Sequence, residues 1–336
     1  MALQPINPVE DPRIDHKFHR LRDGITYHYL YGEPQGGRSK ATVFLIHGWP
    51  DCSAGWRFQI PLLLDMGFRV VAPDLMGFGA TDAPDDISLY SLKRASDDIA
   101  ELAKVVGAEQ ILLGGHDWGG FVVWRAAQWH PELVTHVFSI CTPYSPPHKD
   151  YVSTEDLAKG PLPQFAYQLH LASGDVGKSV NDEQSIRQLL KAIYGGKGPN
   201  GEYGFDSRKG VLVENLPAIG ESKLLNGKIL DYYVKEYCRH GIESTLNWYR
   251  TRRINYEDDL ALLDKKTISI PTLFVQATHD SVLKPEMSKN MDVFLPGLTR
   301  AEVVATHWAL MQKPAEVNSI IAKWLEGQGF GTKSSL

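Results

Sequence analysis

The chain has 336 residues, 43% of them hydrophobic, and a formal charge of −5. That length supports a sizeable core, in one large α/β domain with an insertion or in two domains, and the mild negative charge leaves no electrostatic footprint for nucleic acid or an acidic membrane. Three scattered cysteines (Cys52, Cys141 and Cys238) form no Cys-x-x-Cys pair and no Cys/His cluster along the sequence, which argues against a disulfide framework or a zinc site and for a reducing compartment.

The start, Met1-Ala2-Leu3-Gln4-Pro5-Ile6-Asn7-Pro8, has neither a basic segment nor an apolar run and is not read as a signal peptide. No apolar stretch is long enough to span a bilayer. The final Ser334-Ser335-Leu336 is only loosely similar to the peroxisomal tripeptide, because its central basic residue is missing. A cytoplasmic protein is expected.

Residues 16–30 alternate around a turn at Asp23-Gly24, the pattern of an antiparallel hairpin at a sheet edge. Thr42-Val43-Phe44-Leu45-Ile46 is continuously apolar, as in a buried parallel strand, and leads into His47-Gly48-Trp49-Pro50. Pro50 fixes that turn and is a candidate for a cis bond. Residues 54–66 read as a helix, 69–75 as a strand, and 91–106 as a helix that Ser91 can cap and Gly107 ends. The Gly77/Gly79 spacing lacks the third glycine and the following helix of a dinucleotide fingerprint, and 114–120 lacks the Lys-Ser/Thr of a phosphate loop.

Gln110-Ile111-Leu112-Leu113 then runs into Gly114-Gly115-His116-Asp117-Trp118-Gly119-Gly120, and a helix follows from Phe121. A buried strand, a glycine-flanked turn and a helix resemble the nucleophile elbow of the α/β-hydrolases, with Asp117 where an esterase carries serine. The elbow holds its central residue in a strained backbone conformation, so positions two residues away must be small, and Gly115 and Gly119 stand there. The competing reading is that Asp117 merely caps the helix that follows.

Val134-Thr135-His136-Val137-Phe138-Ser139-Ile140 is another strand, after which the βα rhythm breaks. No parallel strand is legible again until Ile270-Pro271-Thr272-Leu273-Phe274-Val275, which is followed by Arg300-Ala301-Glu302-Val303-Val304-Ala305 and a helix over 314–325. The expected architecture is an α/β-hydrolase fold with a mostly parallel central sheet: a first core part over 1–142, a helical lid (cap) over 143–262 and a second core part over 263–336.

In that fold the nucleophile, acid and histidine follow in chain order on loops at strand C-termini. The first strand after the lid ends in Gln276-Ala277-Thr278-His279-Asp280 and the last in Ala305-Thr306-His307-Trp308. Asp280 is thereby the expected orienting acid and His307 the base, with His279 as the rival histidine and Asp280 as a plain turn carboxylate the competing reading. His47 lies too early in the chain and is read as a hydrogen-bonded turn residue. The backbone N–H groups of Trp118 and Trp49 are the expected oxyanion donors. A carboxylate nucleophile attacks an alkyl carbon and forms an ester, which water hydrolyses, activated by a neutral His307 near the ordinary imidazole pKa of ~6.5.

His47-Gly48-Trp49-Pro50, Gly115-His116-Asp117-Trp118-Gly119-Gly120, Asp280-Ser281-Val282-Leu283 and His307-Trp308 together resemble the soluble epoxide hydrolases, over nearly the whole chain and with a fungal or plant-type texture. The resemblance implies conversion of epoxides to vicinal diols, a detoxifying chemistry, with water as co-substrate and without metal or organic cofactor. It also implies two tyrosines that hydrogen-bond the epoxide oxygen. Tyr167, in Phe165-Ala166-Tyr167-Gln168-Leu169, and Tyr249, in Leu246-Asn247-Trp248-Tyr249-Arg250, match the family's two tyrosine motifs. A phenol with a pKa of ~10 can protonate an alkoxide as it forms. Thr306 and the Leu169-His170-Leu171 continuation depart from the family pattern.

Two other readings share these residues. A haloalkane-type dehalogenase uses the same aspartate ester, and Trp118 could donate to a halide, but it needs no pair of phenols. A catalytically silent ligand-binding member would have lost one of the five positions, and all five are filled. The 8 Trp, 14 Tyr and 12 Phe favour a small apolar substrate. Nothing points to nucleic acid as a partner.

Overall fold

The computed structural model describes residues 4–331. The Ser334-Ser335-Leu336 terminus and the first three residues lie outside them.

From the N-terminus the elements are β1 (Asp15–Arg20), β2 (Thr26–Gly32), β3 (Thr42–Ile46), α1 (Ile60–Asp65), β4 (Arg69–Pro73), α2 (Leu92–Val105), β5 (Ile111–His116), α3 (Trp118–Trp129) and β6 (Val134–Ile140). Then come α4 (Thr154–Lys159), α5 (Tyr167–Ala172), α6 (Asp175–Ser179), α7 (Glu183–Ile193), the short strands β7 (Phe205–Asp206) and β8 (Gly210–Val211), α8 (Gly227–Tyr237), α9 (Glu243–Leu246) and α10 (Arg252–Asp259). The chain closes with β9 (Thr272–Ala277), β10 (Leu298–Val303), α11 (Ala309–Gln312) and α12 (Pro314–Leu325).

It divides into two compact units. The first comprises the chain to Leu75, Leu92–Pro147 and the chain from Leu262; the second comprises Met76–Ser91 and His148–Ala261. The first unit carries an eight-stranded sheet in the order β1-β2-β4-β3-β5-β6-β9-β10. β1 and β2 pair antiparallel around Gly24, whose φ is +96°, and β2 pairs antiparallel with β4. All other neighbours are parallel. β3, β5 and β9 are buried at every residue, as central strands covered on both faces must be. Because β3, β5, β9 and β10 run the same way, the loops that follow them emerge at one edge of the sheet, where open α/β sheets bind their ligands.

Three local expectations are corrected. The helix read over 54–66 is broken into a 3₁₀ turn (Ser53–Trp56) and α1. Pro61, in the first turn of α1, has no N–H, so a continuous helix would lose a hydrogen bond there and meet its ring. The last two strands are displaced by two residues. β9 starts after Pro271, which cannot donate to a ladder, and β10 ends at Val303, leaving Val304 exposed. Finally, Met76–Ser91, read as part of the core, groups with the second unit. There the Trp248 indole N–H donates to the Met76 carbonyl at 3.0 Å, Ser244 Oγ donates to the Gly77 carbonyl at 2.9 Å, and Tyr90 packs edge-on against Trp248.

Close packing at the centre of the sheet depends on β5. A Cβ placed on Gly114 would stand 2.2 Å from the Phe138 ring of β6, which already contacts Trp56 and Trp324. Gly114→Ala should therefore cost about 1–3 kcal/mol by overpacking and lower the melting temperature by several degrees. Gly327→Ala, where nothing stands within 4 Å, should leave it unchanged; differential scanning calorimetry compares the two.

Candidate active site

The loop after β5 carries Asp117 at φ +55° and ψ −124°. This positive-φ conformation lies outside the left-handed helical region and is the strained turn expected of the glycine-flanked heptapeptide; it is costly for any residue with a Cβ. It is possible only because its surroundings are stripped of side chains. A Cβ on Gly115 would lie 2.4 Å from the Gly119 carbonyl oxygen, one on Gly119 2.0 Å from the Ile46 carbonyl oxygen, and one on Gly48 2.2 Å from Asp117 Oδ1. Asp117 occupies the N-cap position of α3, yet its side chain makes no capping bond. Instead Oδ1 accepts from the Trp49 N–H at 2.7 Å, and the Trp118 N–H also bonds the carboxylate. The Trp49-Pro50 peptide is cis.

The loop after β10 carries His307 and the loop after β9 carries Asp280. His307 Nδ1 is 2.8 Å from Asp280 Oδ2, and its Nε2 is 3.6 Å from Asp117 Oδ2. Asp280 Oδ1 accepts from the N–H groups of Val282 and Leu283, each at 2.9 Å. The rival His279 is exposed, while Asp280 faces His307. Thr306, the departure from the family pattern, is held by Gln312, whose Oε1 accepts from its N–H at 2.8 Å and its hydroxyl at 3.1 Å. His47 is buried in a turn. The Leu75 N–H donates to Nε2 at 2.9 Å, which leaves the hydrogen on Nδ1, facing the Gly48 carbonyl at 2.9 Å.

The electrostatics correct one expectation. Burial alone would depress the His307 imidazolium, but the charge and hydrogen bond of Asp280, with further help from Asp117, outweigh it and raise its pKa to about 9. In the resting protein His307 is thus an imidazolium at neutral pH, not the neutral ring expected from its ordinary value. The two carboxylates are pushed in opposite directions. Burial raises Asp117 against the opposing pull of His307 and the two amides. Asp280, also penalised by burial, is held low by His307 and its backbone donors.

His116 and Cys141 also stand beside His307, and sequence reading gave them no role. His116 Nε2 is 2.8 Å and Cys141 Sγ 3.4 Å from the His307 carbonyl oxygen, and the two imidazole rings lie 4.7 Å apart. His116 had a signal, as part of the glycine-rich heptapeptide. Cys141 had none, because strand order brings it there and spacing does not.

In the second unit, Tyr167 opens α5 and Tyr249 lies in a 3₁₀ turn (Asn247–Arg250); both are buried. Their rings meet edge-on with centroids 5.9 Å apart. Arg250 holds the two segments together: Nε donates to the Ala172 carbonyl at the end of α5 at 3.0 Å, and Nη1 donates to Asn247 Oδ1 at 2.6 Å.

Residues 41–314 match the alpha/beta hydrolase fold family. The chain is 40% identical to the epoxide hydrolase srdG of Neurospora crassa over 97% of its own length and 99% of that protein's. It is 32% identical to epoxide hydrolase A of Mycobacterium tuberculosis, over 88% of this chain and 92% of that one. The chain belongs to the epoxide hydrolase family. The crystal structure of epoxide hydrolase A from Mycobacterium thermoresistibile superposes on this family member with a TM-score of 0.78 at 28% identity, covering 94% of this chain and 98% of that one. Among the described residues no helix is long and apolar enough to cross a membrane.

The His307–Asp280 pair predicts a signature in pH. With His307 raised to about 9 in the folded state and near ~6.5 unfolded, its contribution is fully present below pH ~6.5 and is lost as pH rises to about 9. The wild type should lose at most about 3 kcal/mol across that window. Asp280→Asn, which removes the charge, should show little of this loss and a His307 titration well below that of the wild type; chemical denaturation at a series of pH values and imidazole NMR measure the two.

Proposed function

We propose that the protein converts epoxides to vicinal diols through an ester on Asp117, hydrolysed by water that His307 activates. The observation that carries this reading is the Asp117 carboxylate. One oxygen is held at 2.7 Å by the Trp49 N–H, and the other faces His307 at 3.6 Å.

In the first step Asp117 Oδ2 attacks an epoxide carbon, the C–O bond of the ring breaks, and the departing oxygen takes a proton. In this reading the phenols of Tyr167 and Tyr249, carried by the lid, donate to that oxygen. A phenol remains protonated at neutral pH and can supply the proton as negative charge develops. Ester formation abolishes the negative charge of Asp117. One of the interactions that raise His307 then disappears, and the imidazolium releases its proton. The base thus becomes available only once there is an ester to hydrolyse, and the proton consumed by ring opening is matched by the one His307 gives up.

In the second step water adds to Cγ of the ester, and its proton passes to His307 Nε2, with Asp280 supporting the imidazolium. The oxyanion forms at Oδ1, where the Trp49 and Trp118 N–H groups already point, so no reorganisation is needed as charge accumulates. Collapse breaks the Cγ–O bond to the substrate, the departing alkoxide takes the second proton of the added water, and the diol leaves with the carboxylate restored.

Trapping the ester is the decisive test. His307→Gln, incubated with an epoxide, should gain the mass of the whole epoxide, and Asp117→Asn in that background should gain nothing. A gain equal to a haloalkane minus hydrogen halide, with none from epoxides, would overturn the reading in favour of a dehalogenase. No adduct from either probe would favour the silent binding reading.

The phenols have their own test. Tyr167→Phe and Tyr249→Phe should each slow ring opening by about 10²–10⁴-fold in single-turnover experiments, while hydrolysis of a preformed ester keeps its rate. Equal slowing of both steps would remove the tyrosines from the ring-opening role.

A further inference from the structure

His116 and Cys141 have no part in the hydrolytic steps, yet both are buried against the histidine that does. One ring nitrogen from each of His116 and His307 and the Cys141 sulfur all lie within 4.8 Å of one another. His116 is 1% exposed and Cys141 is fully buried. The His307 carbonyl can only accept, so the His116 nitrogen facing it, Nε2, carries the hydrogen and Nδ1 carries the lone pair. That Nδ1 is buried without a hydrogen-bond partner. Cys141 adopts φ +67°, a region that residues with a Cβ rarely occupy. A thiol and two imidazoles form the donor set that zinc and its heavier congeners prefer, and the carboxylates of Asp117 and Asp280 supply negative surroundings for a cation.

We propose that His116, Cys141 and His307 form an inhibitory site for a thiophilic divalent cation of the zinc and cadmium class. Drawing the three donors onto one ion, at bond lengths of about 2.0–2.3 Å, requires them to close by roughly an ångström. Rotation of the two rings supplies this at the expense of the His116 bond to the His307 carbonyl. Binding makes three metal–ligand bonds, the Cys141 thiol proton and the His307 imidazolium proton both leave to solvent, and water completes the tetrahedron. The His307 lone pair is then committed to the ion and cannot take a proton from the hydrolytic water. The cation acts as a reversible blocker, with no part in turnover.

Cadmium chloride alone, titrated into chelator-treated enzyme, tests the site by the near-ultraviolet absorbance of the cadmium–thiolate bond. The band should saturate at one cadmium per chain, persist in Cys238→Ser and vanish in Cys141→Ser. Turnover should fall by about tenfold or more at metal concentrations that Cys141→Ser tolerates, and a chelator should restore it. Should Cys141→Ser not fold, His116→Gln removes a second ligand, with the same expected loss of saturable binding. The absorbance needs no substrate, so this proposal, which uses the catalytic role of His307 only for its inhibitory effect, stands or falls apart from the epoxide reading. Absence of the band, its survival in Cys141→Ser, or equal inhibition of wild type and Cys141→Ser would overturn it.

Discussion

The positive-φ turn at Asp117 is the constraint on which the rest of the site depends. Such backbone strain costs on the order of 1–3 kcal/mol and persists only where its surroundings over-determine it. Here they do. The Asp117 carbonyl accepts from the Gly120 N–H at 2.9 Å and from Thr142 Oγ1 at 2.8 Å, while its carboxylate takes the Trp49 and Trp118 amides. The N-terminus of α3 adds its partial positive charge behind the carboxylate. The Trp49 bond requires backbone from a neighbouring loop to come within touching distance, and the glycines at 48, 115 and 119 leave room for the close packing around the turn. The fold thus spends conformational freedom at three positions to fix one carboxylate.

With that carboxylate fixed, the electrostatics separate two aspartates that are chemically identical. Asp280 is deeply buried but surrounded by donors: two backbone N–H groups and an imidazolium hold it ionised. Asp117 is as deeply buried with less compensation, and its pKa rises. Environments that push like groups apart assign them different work. In the proposed reaction the less satisfied anion is the nucleophile and the better satisfied one the counter-charge of His307. His307 lies between them, and both charges raise its pKa, Asp280 more than Asp117.

Much of this was legible in the sequence because it is local. Strand–glycine–Asp–glycine–helix is written in seven consecutive residues, and chain order after the strands at 272–277 and 298–303 singled out Asp280 and His307 from many carboxylates and twelve histidines. What escaped was non-local. The pKa of His307 depends on two charges placed by other strands, so an isolated imidazole value misjudged its resting state. The helix over 54–66 looked continuous because apolar periodicity outweighed Pro61 in the reading. Met76–Ser91 carried no sign of its partners, since Trp248 and Ser244 lie more than 150 residues away. Cys141 reaches His307 only because β6 and β9 are neighbours in the sheet and β10 follows β9.

The helix whose N-cap position Asp117 occupies also braces the points where the chain leaves and re-enters the first unit. The chain departs after Pro147 and returns at Leu262, and three side chains of α3 reach the backbone on both sides. Trp124 Nε1 donates to the Thr142 carbonyl at 3.1 Å and Arg125 Nη1 to the Ser145 carbonyl at 3.0 Å, which tie down the segment leaving β6. Gln128 Nε2 donates to the Lys265 carbonyl at 2.7 Å and to Tyr144 Oη at 3.0 Å, and Tyr144 Oη donates to the Lys266 carbonyl at 2.5 Å, which tie the outgoing segment to the incoming one. Buried polar side chains are retained only where their bonds are made, and these are spent on backbone at two crossings far apart in sequence. One end of α3 therefore borders Asp117, and the other holds the outgoing and incoming segments of the first unit. A single twelve-residue helix thus ties Asp117 and both of these first-unit segments to one element.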